Sequence, residues 1–259
     1  MKIKKVLLIL TVVVCLVGIP FLGIKAYKII KGYSESSASY ESLNKQVAQS
    51  VTEYSKNSEG SKATSNSSKP NTTEDLKSRF LELKNINDDY CGWISIPNTN
   101  VNYPITNGDC DYYLSHDFYG NKNEYGCITT DDSVNEPFVD SVTILHGHHM
   151  SDGGMFATLK LFRDKSFAVS NRIYVELYNE IRVYDVFSVI VEKANKETYK
   201  ANLLGEEFSE HLSYLKSKSA IDLSENLDEN SNRILVLSTC SYESENYRLV
   251  ICAVEKERR

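Results

Sequence analysis

The sequence predicts a mostly β protein with a few peripheral helices, organised as an antiparallel or mixed barrel. Three observations carry that expectation. After Gly92 the chain breaks into eight short runs rich in Val, Ile, Tyr and Thr, separated by turn residues. Those runs do not alternate regularly with helical patterns, which disfavours a doubly wound sheet. The chain also carries no internal repeat, no phosphate loop and no G-x-G-x-x-G.

The elements follow in order. Thr73, Glu74 and Asp75 form a helix start, with acids at the positive end of the dipole. Leu76, Phe80 and Leu83 continue it at helical spacing towards Asn87. Strands are expected near Trp93–Ile96, Val101–Ile105, Cys127–Thr130, Val142–Gly147, Arg172–Tyr178, Ile181–Glu192, Ile234–Cys240 and Tyr247–Val254. Pro97, Pro104 and Pro137 fall at the edges of runs, where a missing N–H does least harm. Met155–Phe162 and Leu204–Lys216 read as two interposed helices.

Upstream of this body, Val6–Ile24 is a 19-residue stretch without a charge, long enough to span a bilayer. No clear A-x-A site follows it, so it reads as a retained anchor rather than a cleaved signal. The lysines flanking it are balanced and do not fix its orientation. Gly32–Thr73 is rich in Ser, Asn, Thr, Glu and Lys, with few large apolar residues, and reads as a flexible stalk with a marginal helix expected in part of it, around Tyr40–Tyr54. The expected organisation is therefore an anchor over 1–32, a stalk over 33–73 and a folded domain over 74–259.

Charge narrows the function classes. The first 32 residues hold six lysines and no acid, so the remainder carries 23 basic against 35 acidic residues. That surface is repelled by phosphate backbones, and nucleic acid is not an expected partner. Six cysteines without a C-x-x-C pair are neither a disulfide framework nor a zinc ribbon.

Three places carry candidate chemistry. In Leu145-His146-Gly147-His148-His149-Met150, three of the five histidines gather at a strand end, with positions 146 and 148 on one face. H-x-H invites a metal reading, but Met150 stands where a third ligand is needed and Asp152 comes two residues late. No metal and no cofactor is expected, and a catalytic histidine is the favoured reading over a structural cluster. The second place is the C-terminal hairpin, whose arms are apolar on both faces and so belong in the sheet interior. A loop centred on position 244 sets Cys240 directly opposite Arg248, with Cβ atoms about 4.5–5.5 Å apart. A guanidinium at that distance favours a thiolate and can hold an oxyanion. The alternative is that Cys240 is a small core residue. The same register sets Cys252 opposite Val236, about 13 Å along the strand from Cys240 and out of disulfide range. Cys91, Cys110 and Cys127 have no spacing that assigns them a role. The third place is Asp109-Cys-Asp-Tyr-Tyr-Leu114, in a chain of 17 tyrosines. It can line a groove for an extended peptide, although half-buried barrel tyrosines read the same way.

These residues resemble the sortases, and class B in particular. The landmarks are Gly92-Trp-Ile-Ser-Ile-Pro97, Asn102-Tyr-Pro-Ile105, Gly147-His148 leading into Met155-Phe156, and Leu237-Ser-Thr-Cys240 with Arg248 eight residues on. The resemblance implies an eight-stranded barrel with an N-terminal helix and a helix between strands six and seven. It implies that Cys240 is the nucleophile, His148 the general acid/base and Arg248 the oxyanion partner, and it selects His148 over His149. Tyr113, Leu114, Ser238 and Thr239 are then expected to bind substrate.

The implied reaction is transpeptidation at a Thr carbonyl of a C-terminal sorting signal such as Asn-Pro-x-Thr-Asn or a Pro-x-Thr-Gly variant. A peptidoglycan amine resolves the thioacyl enzyme, at the outer face of a Gram-positive membrane. Two positions depart from the pattern: His146 stands where relatives often have Tyr, and Cys110 where they often have Asn. Papain-like enzymes place Cys before His, whereas His148 precedes Cys240 by 92 residues. The competing class is a membrane-tethered surface module that binds without catalysis.

Overall fold

The computed structural model describes residues 21, 23, 24, 27, 31–45, 73–223, 233–241, 243 and 245–259. Val6–Ile24 lies outside them except for Phe21, Gly23 and Ile24. Among the described residues no helix is long and apolar enough to cross a membrane. The stalk expected over 33–73 meets a different outcome in its first part: residues 31–45 are helical. Ser36, Tyr40 and Leu43 are buried against the barrel. This helix overlaps the marginal one expected around Tyr40–Tyr54 only at residues 40–45; the rest of that stretch lies outside the described residues.

The helix α1 (Thr73–Ile86) opens with Glu74 and Asp75 and buries Leu76 and Leu83. Eight strands follow: β1 (Tyr90–Ser95), β2 (Asn102–Thr106), β3 (Ile128–Thr130), β4 (Val142–His146), β5 (Arg172–Glu176), β6 (Ile181–Lys193), β7 (Ile234–Cys240) and β8 (Tyr247–Arg258). They close into a barrel in the order β1-β2-β3-β4-β7-β8-β6-β5. Closure removes free edges, which short strands of this kind otherwise expose. The barrel is mixed: β2–β3 and β4–β7 are parallel, and the remaining pairs are antiparallel.

The helix α2 (Cys110–Tyr113) is a single turn capped by Asp109, whose side chain accepts from the Tyr112 N–H. A 3₁₀ helix (Ala157–Arg163) occupies most of the expected Met155–Phe162 helix. It is followed by α3 (Lys165–Ser170), capped by Asp164. The helix α4 (Gly205–Ser217) lies between β6 and β7, where the resemblance puts one.

The two faces of β7 and β8 serve two cores. Leu235, Leu237, Leu249, Ile251 and Ala253 join the main core with Trp93, Ile94 and Phe156. Val236, Val250, Cys252 and Val254 point the other way and are covered by Phe208, Leu212 and Leu215 of α4. Burial on both faces explains why these strands read as unbroken apolar runs.

Candidate active site

The hairpin register is the first determinant of the site. Residues pair from Ile234↔Val254 through Val236↔Cys252 to Cys240↔Arg248, with no slip along the ladder. Cys240 and Arg248 are therefore opposed at the open end of two strands, next to the buried runs Ile234–Thr239 and Leu249–Val254. Both are half-buried at the rim.

The second determinant is the parallel pair β4–β7. His146 lies beside Ser238, and the Gly147 N–H donates to the Ser238 carbonyl at 3.2 Å. Carried two residues further, this register brings position 148 level with position 240. The chains stay together there, since His149 Nδ1 is 3.0 Å from the Cys240 carbonyl oxygen. A Cβ added at Gly147 would come within 2.5 Å of Ile128 Cδ1 and 2.8 Å of Phe156 Cδ2. Glycine is what lets β4 end this tightly against its neighbours.

His148 Nε2 is 2.6 Å from the Leu114 carbonyl oxygen, just past α2. A carbonyl only accepts, so Nε2 carries the proton and Nδ1 is the nitrogen left to exchange one. Leu114 thus meets the site through its backbone. Ser238 is buried, with its hydroxyl 2.9 Å from that of Tyr199 in the segment between β6 and α4. Tyr199 in turn packs against the His146 ring at 5.6 Å, and His146 Nε2 is 2.8 Å from Asp131 Oδ2. That bond holds the Asp131 carboxyl down at about 2.

Three of the expected substrate residues, Tyr113, Thr239 and the buried Ser238, are not presented to a ligand. Tyr113 is buried, its hydroxyl bonded to Asp89 at 2.7 Å and Asn87 at 3.1 Å. Thr239 is buried and pairs with Leu249, so strand alternation turns it towards the main core, away from the face of Cys240.

The five described cysteines are all free thiols. Burial pushes Cys91, Cys110 and Cys127 up to about 12 and raises Cys252 as well. Asp132 and Asp131 add to the effect at Cys110. Raised in this way, those four thiols favour the protonated form at neutral pH. Among the described residues no group of three or more His, Cys, Asp or Glu side chains is arranged to hold a metal ion.

A Sortase domain model matches residues 94–256, well over half of the chain. The chain belongs to the sortase family. It is 31% identical over 188 residues to Sortase B of Listeria monocytogenes, covering 70% of this chain and 75% of that protein. The crystal structure of Clostridium perfringens sortase B superposes with a TM-score of 0.63 at 33% identity, over 68% of this chain and 99% of that one. A Staphylococcus aureus sortase B–substrate complex superposes at 0.71 with 25% identity, over 86% and 97%. The class B barrel, with its helix between β6 and β7, is the architecture seen here, and the chain is a transpeptidase of that class.

Proposed function

We propose that the chain works as a cysteine transpeptidase whose working groups are Cys240, His148 and Arg248. The Cys240 thiolate attacks the carbonyl of Thr in a sorting signal, forming a C–S bond and a tetrahedral oxyanion. The Arg248 guanidinium, directly across the hairpin, stabilises that oxyanion. As the C–N bond breaks, His148 Nδ1–H gives its proton to the departing amine, and a thioacyl enzyme remains. An incoming amine from peptidoglycan then attacks the thioester carbonyl, returns a proton to His148 and expels the Cys240 thiolate. Leu114 borders the groove that receives the peptide.

The single observation that carries this reading is the Cys240↔Arg248 pair at the end of an unslipped ladder. Arg248 lies between the half-buried Cys240 on β7 and Glu192 on β6, so the register sets a cation directly beside the thiol at the strand end. Family membership sets the non-catalytic binding module aside. The apolar run Val6–Ile24 supports tethering to the outer face of a membrane, with the domain facing the cell wall.

The test is incubation of the chain with an Asn-Pro-x-Thr-Asn peptide, with and without an amine acceptor. Mass spectrometry should find a transfer product only when the amine is present, and none with Cys240→Ala. Persistent turnover by a folded Cys240→Ala protein would overturn the assignment.

A further inference from the structure

The motif Asn102-Tyr-Pro-Ile105 has no part in that mechanism, yet Tyr103 reaches the loop that carries the histidine. Its hydroxyl accepts the Met155 backbone N–H at 3.1 Å. Met155 is fully buried and has φ of 52°, in the left-handed region. A non-glycine residue stays there only where its surroundings over-determine it.

Met155 closes the loop that begins at His148. It forms a β-bridge with His149, and the next residue, Phe156, donates its N–H to the His148 carbonyl at 2.9 Å. Further ties hold the rest of the loop: Asn100 Nδ2 donates to the Gly153 carbonyl at 3.0 Å, and the Tyr125 hydroxyl donates to Asp152. The helix over 31–45 packs behind the same tyrosines. The Tyr40 ring meets Tyr103 edge-on at 5.4 Å, and Tyr33 meets Tyr125 at 5.7 Å. The Tyr40 hydroxyl also donates to the Gly126 carbonyl at 2.6 Å.

We propose that Tyr103 is a positioning residue for His148, its hydroxyl fixing the left-handed turn at Met155 that closes the histidine loop. The helix over 31–45 is the outer support that holds Tyr103 in place. Remove the hydroxyl, and the Met155 N–H becomes a buried donor without a partner. The turn then relaxes, and His148 shifts while Cys240 and Arg248, set by their own ladder, stay where they are. This inference rests on the reading of His148 as the proton donor.

The test uses the full chain and two substrates: the sorting peptide, and the same peptide with a thioester at the scissile bond. An amine leaves only after its nitrogen is protonated, whereas a thiolate leaves without a proton. Tyr103→Phe should lower amide kcat by about ten- to a hundredfold, the scale of a misplaced catalytic group. KM should be unchanged and thioester turnover close to that of the unaltered protein. Tyr125→Phe, which releases the Asp152 end of the same loop, should show the same selective loss to a smaller degree. It serves as the second variant if Tyr103→Phe melts near the assay temperature. An amide-to-thioester ratio equal to the unaltered protein's in both variants would overturn the inference, whether both rates hold or both fall together. The unaltered ratio in His148→Ala would instead overturn the reading of His148 itself.

Discussion

The two halves of the site are built by different means. Cys240 and Arg248 sit on strands buried on both faces, and backbone pairing alone brings them together. His148 sits past the end of β4, in a loop held by the Leu114 carbonyl, the Phe156 N–H and the Tyr103 hydroxyl. A ladder has one register, because a one-residue slip would turn every apolar side chain to the wrong face. A loop has only the bonds its side chains supply. Cys240 and Arg248 are therefore fixed rigidly, while His148 depends on several tertiary contacts that substitution can loosen one at a time.

The largest expected effect on the rigid half is that of Arg248→Lys. Lysine keeps the charge and loses the planar donor fork, so kcat should fall about 10²–10³-fold with a modest change in KM. Amide and thioester cleavage should fall alike, since both pass through an oxyanion, and the melting temperature should hold. A rise in KM with kcat unchanged would mean that Arg248 grips the substrate instead. A selective loss of amide cleavage would break the distinction between the two halves.

Gly147→Ala acts on the other half. The added methyl would collide with Ile128 and Phe156, and overpacking of this kind destabilises by about 1–3 kcal/mol. Calorimetry should show a lower melting temperature. Amide turnover should fall about ten- to a hundredfold through displacement of His148, with thioester turnover less affected. Equal losses on both substrates would show that Gly147 also holds β7.

The smallest effect concerns α4, which covers the outer face of the rigid half. Burial of His211, whose Nε2 has no hydrogen-bond partner, lowers it to about 4. The unfolded chain titrates near 6.5, so it binds more protons than the folded state between these values. The stability gained by keeping His211 neutral is present above pH 6.5 and is lost as pH falls towards 4. His211→Leu should remove on the order of 1–2 kcal/mol of that pH dependence across the window. Melting curves at pH 7 and pH 4.5 measure it, and neutral-pH activity should not change. An unaltered acid slope would show that His211 is not the group responsible.

The same contrast explains what the sequence made legible. All eight strands were visible as β-type runs, and the hairpin register matches the one obtained by assuming a loop centred on position 244. β6 and β8 run further than expected, to Lys193 and Arg258, because their ends pair through the backbone with charged side chains outward. The short helices α2 and α3 were hidden, since four and six residues are too few to show a period. Only their aspartate caps, Asp109 and Asp164, signalled them. Tyr113, Ser238 and Thr239 were expected to bind substrate and are buried instead. Alternation from an outward Cys240 already turned Thr239 inward, a signal the residues carried. The contacts of Tyr103 with Met155, and of Tyr40 with Tyr103, join residues over 50 positions apart and leave no local pattern.

The strand order also dictates when the protein can become an enzyme. β7 and β8 are inserted between β4 and β6, so until residues 234–258 have been synthesised those two strands end as bare edges. Bare edges invite pairing with other chains, and barrel closure must wait for a contact spanning about 90 residues between β4 and β7. The thiol arrives in the same segment that seals the sheet. A growing or truncated chain that already carries His148 therefore lacks both Cys240 and the strand pairing that brings the two together, until the barrel closes.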